Sequence, residues 1–157
     1  MTTSINKATV IPDVWQNFYD RIKDQVKTVT ITGAKVITVQ NYVSSDPDQL
    51  LDSKSNYPIA VIKTPSLEYG PVTMTRGKYM GTIDIEIYTN QGESADKFES
   101  SIINAIETYV RDLRLIGLTT VELGNTDDDS VSRDGLKIHV RKVTYKLVYK
   151  YTKTRSF

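Results

Sequence analysis

Apolar residues recur at two spacings along this chain, and the alternation between them predicts its elements. Helical spacing comes first: Trp15, Phe18, Tyr19, Ile22 and Val26 share one face of a segment opened by Pro12 and Asp13. Proline loses nothing in a first helical turn, whose N–H groups lack internal partners, and an acid there complements the helix dipole. The spacing predicts a core-packing helix. Two short β-branched runs follow, 28–32 and 35–40, separated by Gly33-Ala34, and predict a hairpin. Residues 43–57 are polar and interrupted by Pro47, which predicts a mobile surface loop. Within 58–64 four apolar residues stand in succession from Ile59 to Ile62, the mark of a strand covered on both faces.

Residues 65–80 hold Gly70-Pro71, Arg76-Gly77 and two methionines. The stretch is too long and turn-rich for a plain connection and predicts an extended hairpin or arm. In 81–89, Ile83, Ile85 and Ile87 alternate with Asp84, Glu86 and Tyr88, so this strand has one core face and one polar face. A second helix is predicted over 94–115 by the stripe from Ala95 and Phe98 through Ile102, Ile106 and Tyr109 to Leu113. Glu93, Asp96 and Glu99 lie at its positive end, Arg111 and Arg114 at its negative end, and Gly117 stops it. A strand at 118–123, an acidic loop at 124–135 and a long last strand at 136–151 complete the chain. In that strand Leu136, Ile138 and Val140 have one parity, and Val143, Tyr145, Leu147, Tyr149 and Tyr151 the other. A β-bulge near Arg141-Lys142 is expected to bring both sets to one core.

These elements describe an α+β fold: a mostly antiparallel sheet with two main helices packed on it, plus a long hairpin or loop arm. A single domain is expected across 1–157, with a mobile loop at 43–57, an arm at 65–80 and a basic tail at 152–157. Hydrophobic content of 39% and charged content of 25% fit a globular chain. No apolar run approaches the roughly 20 residues of a membrane-spanning helix, so no membrane partner is expected. The N-terminus lacks the basic and apolar blocks of a signal peptide. There is no cysteine, which excludes disulfides and thiolate metal sites and is compatible with a reducing compartment.

The net charge of +1 conceals a contrast. Residues 84–132 carry eleven acids against three bases, and residues 133–157 eight bases against one acid. Charges so separated either pair internally or face one another between copies.

Candidate chemistry is sparse. Asp127-Asp128-Asp129 lacks the glycine and glutamate that complete a calcium loop and is expected to be a solvated hairpin turn. His139 is the only histidine, so a zinc site is not expected. No phosphate loop, nucleophile elbow or carboxylate pair at catalytic spacing is present; neither catalysis nor a cofactor is expected. Lys142, Lys146 and Lys150, with Lys153 and Arg155 beyond, form a stripe that suits either nucleic-acid phosphates or an acidic protein. Tyr145, Tyr149 and Tyr151 have the opposite parity, which argues against a base-stacking platform and favours a solvated or protein-facing stripe.

Three stretches taken together carry a resemblance: residues 81–90 leading into the helix to Leu113, the acidic turn 126–135, and the strand 136–151 with Lys-Ile-His-Val-Arg-Lys-Val-Thr-Tyr-Lys-Leu-Val-Tyr. In order and texture the C-terminal half resembles the tail terminator (tail completion) family of long-tailed bacteriophages and, more broadly, minor head–tail joining proteins. The resemblance implies a structural virion protein, made in the host cytoplasm and assembled at the neck as a homo-oligomer, commonly a hexameric ring. Such a ring caps the tail tube protein, docks to the head-completion or connector protein, and lets DNA pass through its channel without sequence recognition. The family has no cofactor and no catalytic residues. A head-closure or other neck adaptor ring is the alternative, and a nucleic-acid-binding domain using the basic strand is a second one. The residues expected at subunit or ring contacts are Arg76, Lys78 and Tyr79 on the arm, Asp127, Asp128 and Asp129, and Lys142, Lys146, Lys150, Lys153 and Arg155.

Overall fold

The computed structural model describes residues 4–6, 8–45, 47, 50–71, 76–133 and 135–152. Helix α1 (Val10–Gln25) leads into the hairpin β1 (Thr28–Ile31) and β2 (Lys35–Thr38). Gly33 and Ala34 take positive φ in its three-residue turn, Thr32 to Ala34. Then come β3 (Asn41–Val43), a short 3₁₀ turn (Lys54–Asn56), β4 (Ile59–Ile62), β5 (Ser66–Pro71) and β6 (Arg76–Thr89). Helices α2 (Gly92–Glu107) and α3 (Val110–Leu115) precede the long strands β7 (Leu118–Arg133) and β8 (Leu136–Thr152).

The main sheet runs β3-β4-β6-β8-β7, with β5 also on β6. Only the β3–β4 pair is parallel. β4 and β5 lie on one side of β6, so the arm is a hairpin laid into the sheet, with β8 on its other side. Gly81 makes this possible: a Cβ there would stand 1.8 Å from the Ser66 carbonyl oxygen, so only glycine lets β5 approach. The fold is α+β, with two main helices on a mostly antiparallel sheet.

The helices cover one face. Phe18 and Ile22 of α1 and Phe98, Ile102 and Ile106 of α2 share a buried cluster with Ile83, Ile85, Ile87, Val143, Tyr145 and Leu147. On the opposite face lies a second cluster, where Leu51 and Tyr57 cover Ile59, Val61, Ile138 and Val140.

That second cluster corrects two expectations. No bulge occurs in β8, which pairs with β6 in unbroken register from Thr89↔His139 to Arg76↔Thr152. Its change of apolar parity arises because its first part lines the second cluster and the rest lines the helix-side core. The register shifts sit instead in β7, between Leu118 and Thr120 and between Leu123 and Asn125. Nor is 43–57 merely a surface loop. β3 ends at the segment's first residue, Val43, but further on Pro47, Leu51 and Tyr57 are buried, and the Tyr57 hydroxyl donates to the Leu51 carbonyl at 2.7 Å.

Two more elements differ from their predicted extents. The second helix breaks at Thr108-Tyr109, because the Thr108 hydroxyl donates back to the Asn104 carbonyl and Arg21 Nε of α1 donates to the Ala105 carbonyl at 2.9 Å. Residues 124–133, predicted as a loop, are strand: β7 runs to Arg133 and β8 starts at Leu136, with Gly135 at φ 79°. Asp127 and Asp128 stand directly opposite Lys142 and Arg141. Such opposite-charge pairs favour a strand that isolated aspartates disfavour. No helix among the described residues is long and apolar enough to cross a membrane.

Candidate docking surface

The face of the sheet turned away from the helices divides into two halves. Near β3 and β4, Leu51 and Tyr57 roof it. A polar belt crosses the strands next. Glu86, 7% exposed, has Lys63 Nζ at 3.0 Å. Thr144 donates to Asp84 at 2.7 Å, and Lys142 pairs with Asp127 at 3.7 Å. Beyond the belt the described residues place nothing over the sheet.

That bare half collects the cations. Register places Lys78 directly opposite Lys150 and Lys146 opposite both Thr82 and Glu122, with Arg76 exposed at the start of β6. At about 3.4 Å per residue the stripe from Lys142 to Lys150 is about 27 Å long. Among the described residues, no ion pair involves Lys78, Lys146 or Lys150. Like charges in direct opposition destabilise a strand pair. Met80 is 44% exposed and lies beside Val148 in a groove of about 370 Å³, whose rim carries Glu68, Thr82, Glu122 and Lys146.

The helix-side face of the same sheet end is aromatic. Tyr79 lies opposite both Tyr69 and Tyr149, and its ring centroid is 5.8 Å from Tyr69 and 5.7 Å from Tyr151. Tyr149 is nearly buried and donates to the Ile5 carbonyl at 3.2 Å. Burial, with a lesser contribution from Asp13, pushes its phenol above the usual range. Tyr151 is also raised, first by desolvation and then by its hydrogen bond with Tyr69. Burial raises Tyr145 further, assisted by the Glu107 carboxylate. These phenols stay neutral, and the end of the sheet is cationic on one side and aromatic on the other.

The acidic segment lies at the far end of β7. Asp128 does not face solvent alone: Arg141 reaches it at 3.5 Å and also holds Asp96 at 2.7 Å and Glu99 at 3.5 Å, tying α2 and β7 to β8. Asp129 accepts the N–H of Ser130 at 2.8 Å. The three aspartates thus occupy a strand rather than the hairpin turn that sequence reasoning expected, and two of them pair within the chain. His139 stands half-buried on β8, beside Gly92 at the start of α2. No group of three histidine, aspartate or glutamate side chains suited to a metal occurs among the described residues.

Of the predicted contact residues, the structure brings Arg76, Lys78, Lys146 and Lys150 to one face and puts Tyr79 on the other. Lys142 belongs to the belt, and Lys153 and Arg155 lie outside the described residues. Sequence reasoning missed Met80, Glu68 and Glu122 as groove residues. The register of β5 and β7 assigns them, and no spacing within one strand reveals it.

The fold and this surface define a small α+β domain whose distinctive chemistry lies on an open sheet. Compared with known proteins, the chain matches no family model and no curated sequence.

Proposed function

We propose that this domain is a structural assembly protein: a ring subunit that caps the tail tube of a long-tailed bacteriophage and joins it to the head connector. The observation that carries the reading is the uncovered cationic half of the sheet, Lys78, Lys146 and Lys150, at the opposite end of β8 from the acidic stretch of β7. A ring contact is heterologous, one patch meeting a different patch on the next copy, and a subunit with charge of opposite sign at its two ends suits that geometry. The tyrosines behind the lysines suit a second contact, since tyrosine is enriched where interfaces bind most tightly. A head-closure or other neck ring uses the same features, and position in the particle separates it from a terminator.

The test is the double variant Lys146→Glu, Lys150→Glu, compared with wild type by circular dichroism, sedimentation and electron microscopy of tail tubes. Both side chains are exposed, so the fold is expected to survive while ring formation and tube capping fail. Rings and capped tubes at wild-type yield would refute the reading.

The clustering of bases on an open face favours one second reading, contact with nucleic-acid phosphates. It predicts binding to duplex DNA by the isolated chain that weakens steeply with salt. Tyr145, Tyr149 and Tyr151 sit behind the lysines, so no aromatic platform joins that face.

A further inference from the structure

The outer edge of β7 has no partner among the described residues, because the sheet ends there. Such an edge presents unmade N–H and C=O groups, and proteins ordinarily blunt it with lysine, proline, a bulge or a cover. Both register shifts of β7 precede Asn125, and from there to Arg133 it follows β8 without interruption. Residues 122–132 are all exposed, and 118–132 contain neither lysine nor proline. Between the exposed Leu123 and Val131 stand the three aspartates.

We propose that the edge at residues 125–133 is a strand-addition site for an extended, basic segment of a different polypeptide. Backbone pairing supplies the contact, and Asp129, which has no ion pair among the described residues, selects strands that bear lysine or arginine. A second copy offers this backbone edge no basic strand from its described residues, since Lys78, Lys146 and Lys150 lie on strands inside the sheet, and the ring contact proposed above is one between side chains. Antiparallel pairing of two β7 edges sets aspartates against aspartates, which is destabilising. The other strands with a free edge, β1, β2, β3 and β5, bring one lysine, Lys35, and one glutamate, Glu68, between them. Asp129 keeps the site ready. Its carboxylate holds the Ser130 N–H at 2.8 Å, so an incoming carbonyl takes that donor and frees the carboxylate for the incoming cation. The site stands whether or not the chain forms rings.

Three peptide probes test it on the full chain: Thr-Lys-Val-Lys-Val-Lys-Thr, the same peptide with glutamate for lysine, and the basic peptide with alternate amides N-methylated. Amide hydrogen exchange is the readout. The basic peptide, at about ten times its Kd, is expected to slow exchange in 125–133 by roughly tenfold. The glutamate and N-methylated peptides leave those rates unchanged, and Asp129→Lys abolishes the effect of the basic one. The N-methylated arm uses wild-type protein, so the test does not depend on the variant folding. Absence of slowing at millimolar basic peptide, equal slowing by the N-methylated peptide, or protection confined to other residues overturns the proposal.

Discussion

The roofed and bare halves of the sheet's second face share the strands β6 and β8, yet their side chains follow different rules. Under the roof stand Ile138 and Val140, and the one buried acid of the adjoining belt has a lysine at 3.0 Å. Beyond the belt stand Lys78, Met80, Lys146, Val148 and Lys150, with two lysines in direct opposition. The sheet continues without a break across the boundary, so backbone pairing does not set it. What sets it is the reach of the segment bearing Leu51 and Tyr57. A surface selected for folding alone would pair or replace one of the opposed lysines. Local rules are broken in this way where a surface serves something other than stability.

The strongest way to break this contrast is to strip one anchor from each half. Tyr57→Ala removes a ring that is 5% exposed together with its hydrogen bond to Leu51, and is expected to cost about 3–5 kcal/mol. Met80→Ala, at a position 44% exposed, is expected to change stability by no more than about 0.5 kcal/mol. Urea denaturation measures both. Comparable losses would mean that the bare half is packed like the roofed one.

Much of this arrangement was legible along the chain, and the exceptions share a cause. The alternation of Ile83, Ile85 and Ile87, the hairpin around Gly33 and the apolar run at Ile59 to Ile62 each state their environment locally, and each element forms as read. The roof did not show, because its few apolar side chains are scattered through a polar segment and matter only against Ile138, some eighty residues on. The break after Glu107 depends on Arg21, 84 residues from the carbonyl it bonds. The acidic strand depends on Lys142 and Arg141 across the ladder. Of the candidate surface, the shared parity of Lys142, Lys146 and Lys150 was visible within one strand. The opposition of Lys78 to Lys150 was not, since it requires the register between two strands.

That opposition supplies a smaller effect of opposite sign. Lys78→Glu converts a repelling cross-strand pair into an attracting one and is expected to stabilise the monomer by about 0.2–1 kcal/mol. The ring reading expects the same variant to assemble less well, because a cation leaves the contact. Thermal unfolding and sedimentation on one preparation separate these outcomes. A variant that gains stability and still assembles shows that Lys78 serves no contact; one that loses stability shows that the opposed lysines are not in strain.

The smallest effect lies away from both halves, where the β1–β2 hairpin meets the start of α2. There the Glu93 carboxylate accepts the N–H and the hydroxyl of Thr32, each at 2.8 Å. These bonds, the hydroxyl's first, hold its pKa below the ordinary 4.5, and burial opposes them weakly. A carboxyl lowered in the folded state binds fewer protons there than in the unfolded chain, so its contribution is complete above the unfolded value and is lost as pH falls through the folded one. Glu93→Gln keeps an acceptor for Thr32 but removes the charge. Its melting temperature is expected to lie slightly below wild type at neutral pH and to converge with it in acid, once the folded carboxyl is protonated. Because the group is exposed, salt shrinks the gap. A gap that persists in acid would mean that the two bonds act through shape rather than charge. A gap as large as that of Tyr57→Ala would mean that the hairpin, and not the roof, decides how firmly the domain holds together.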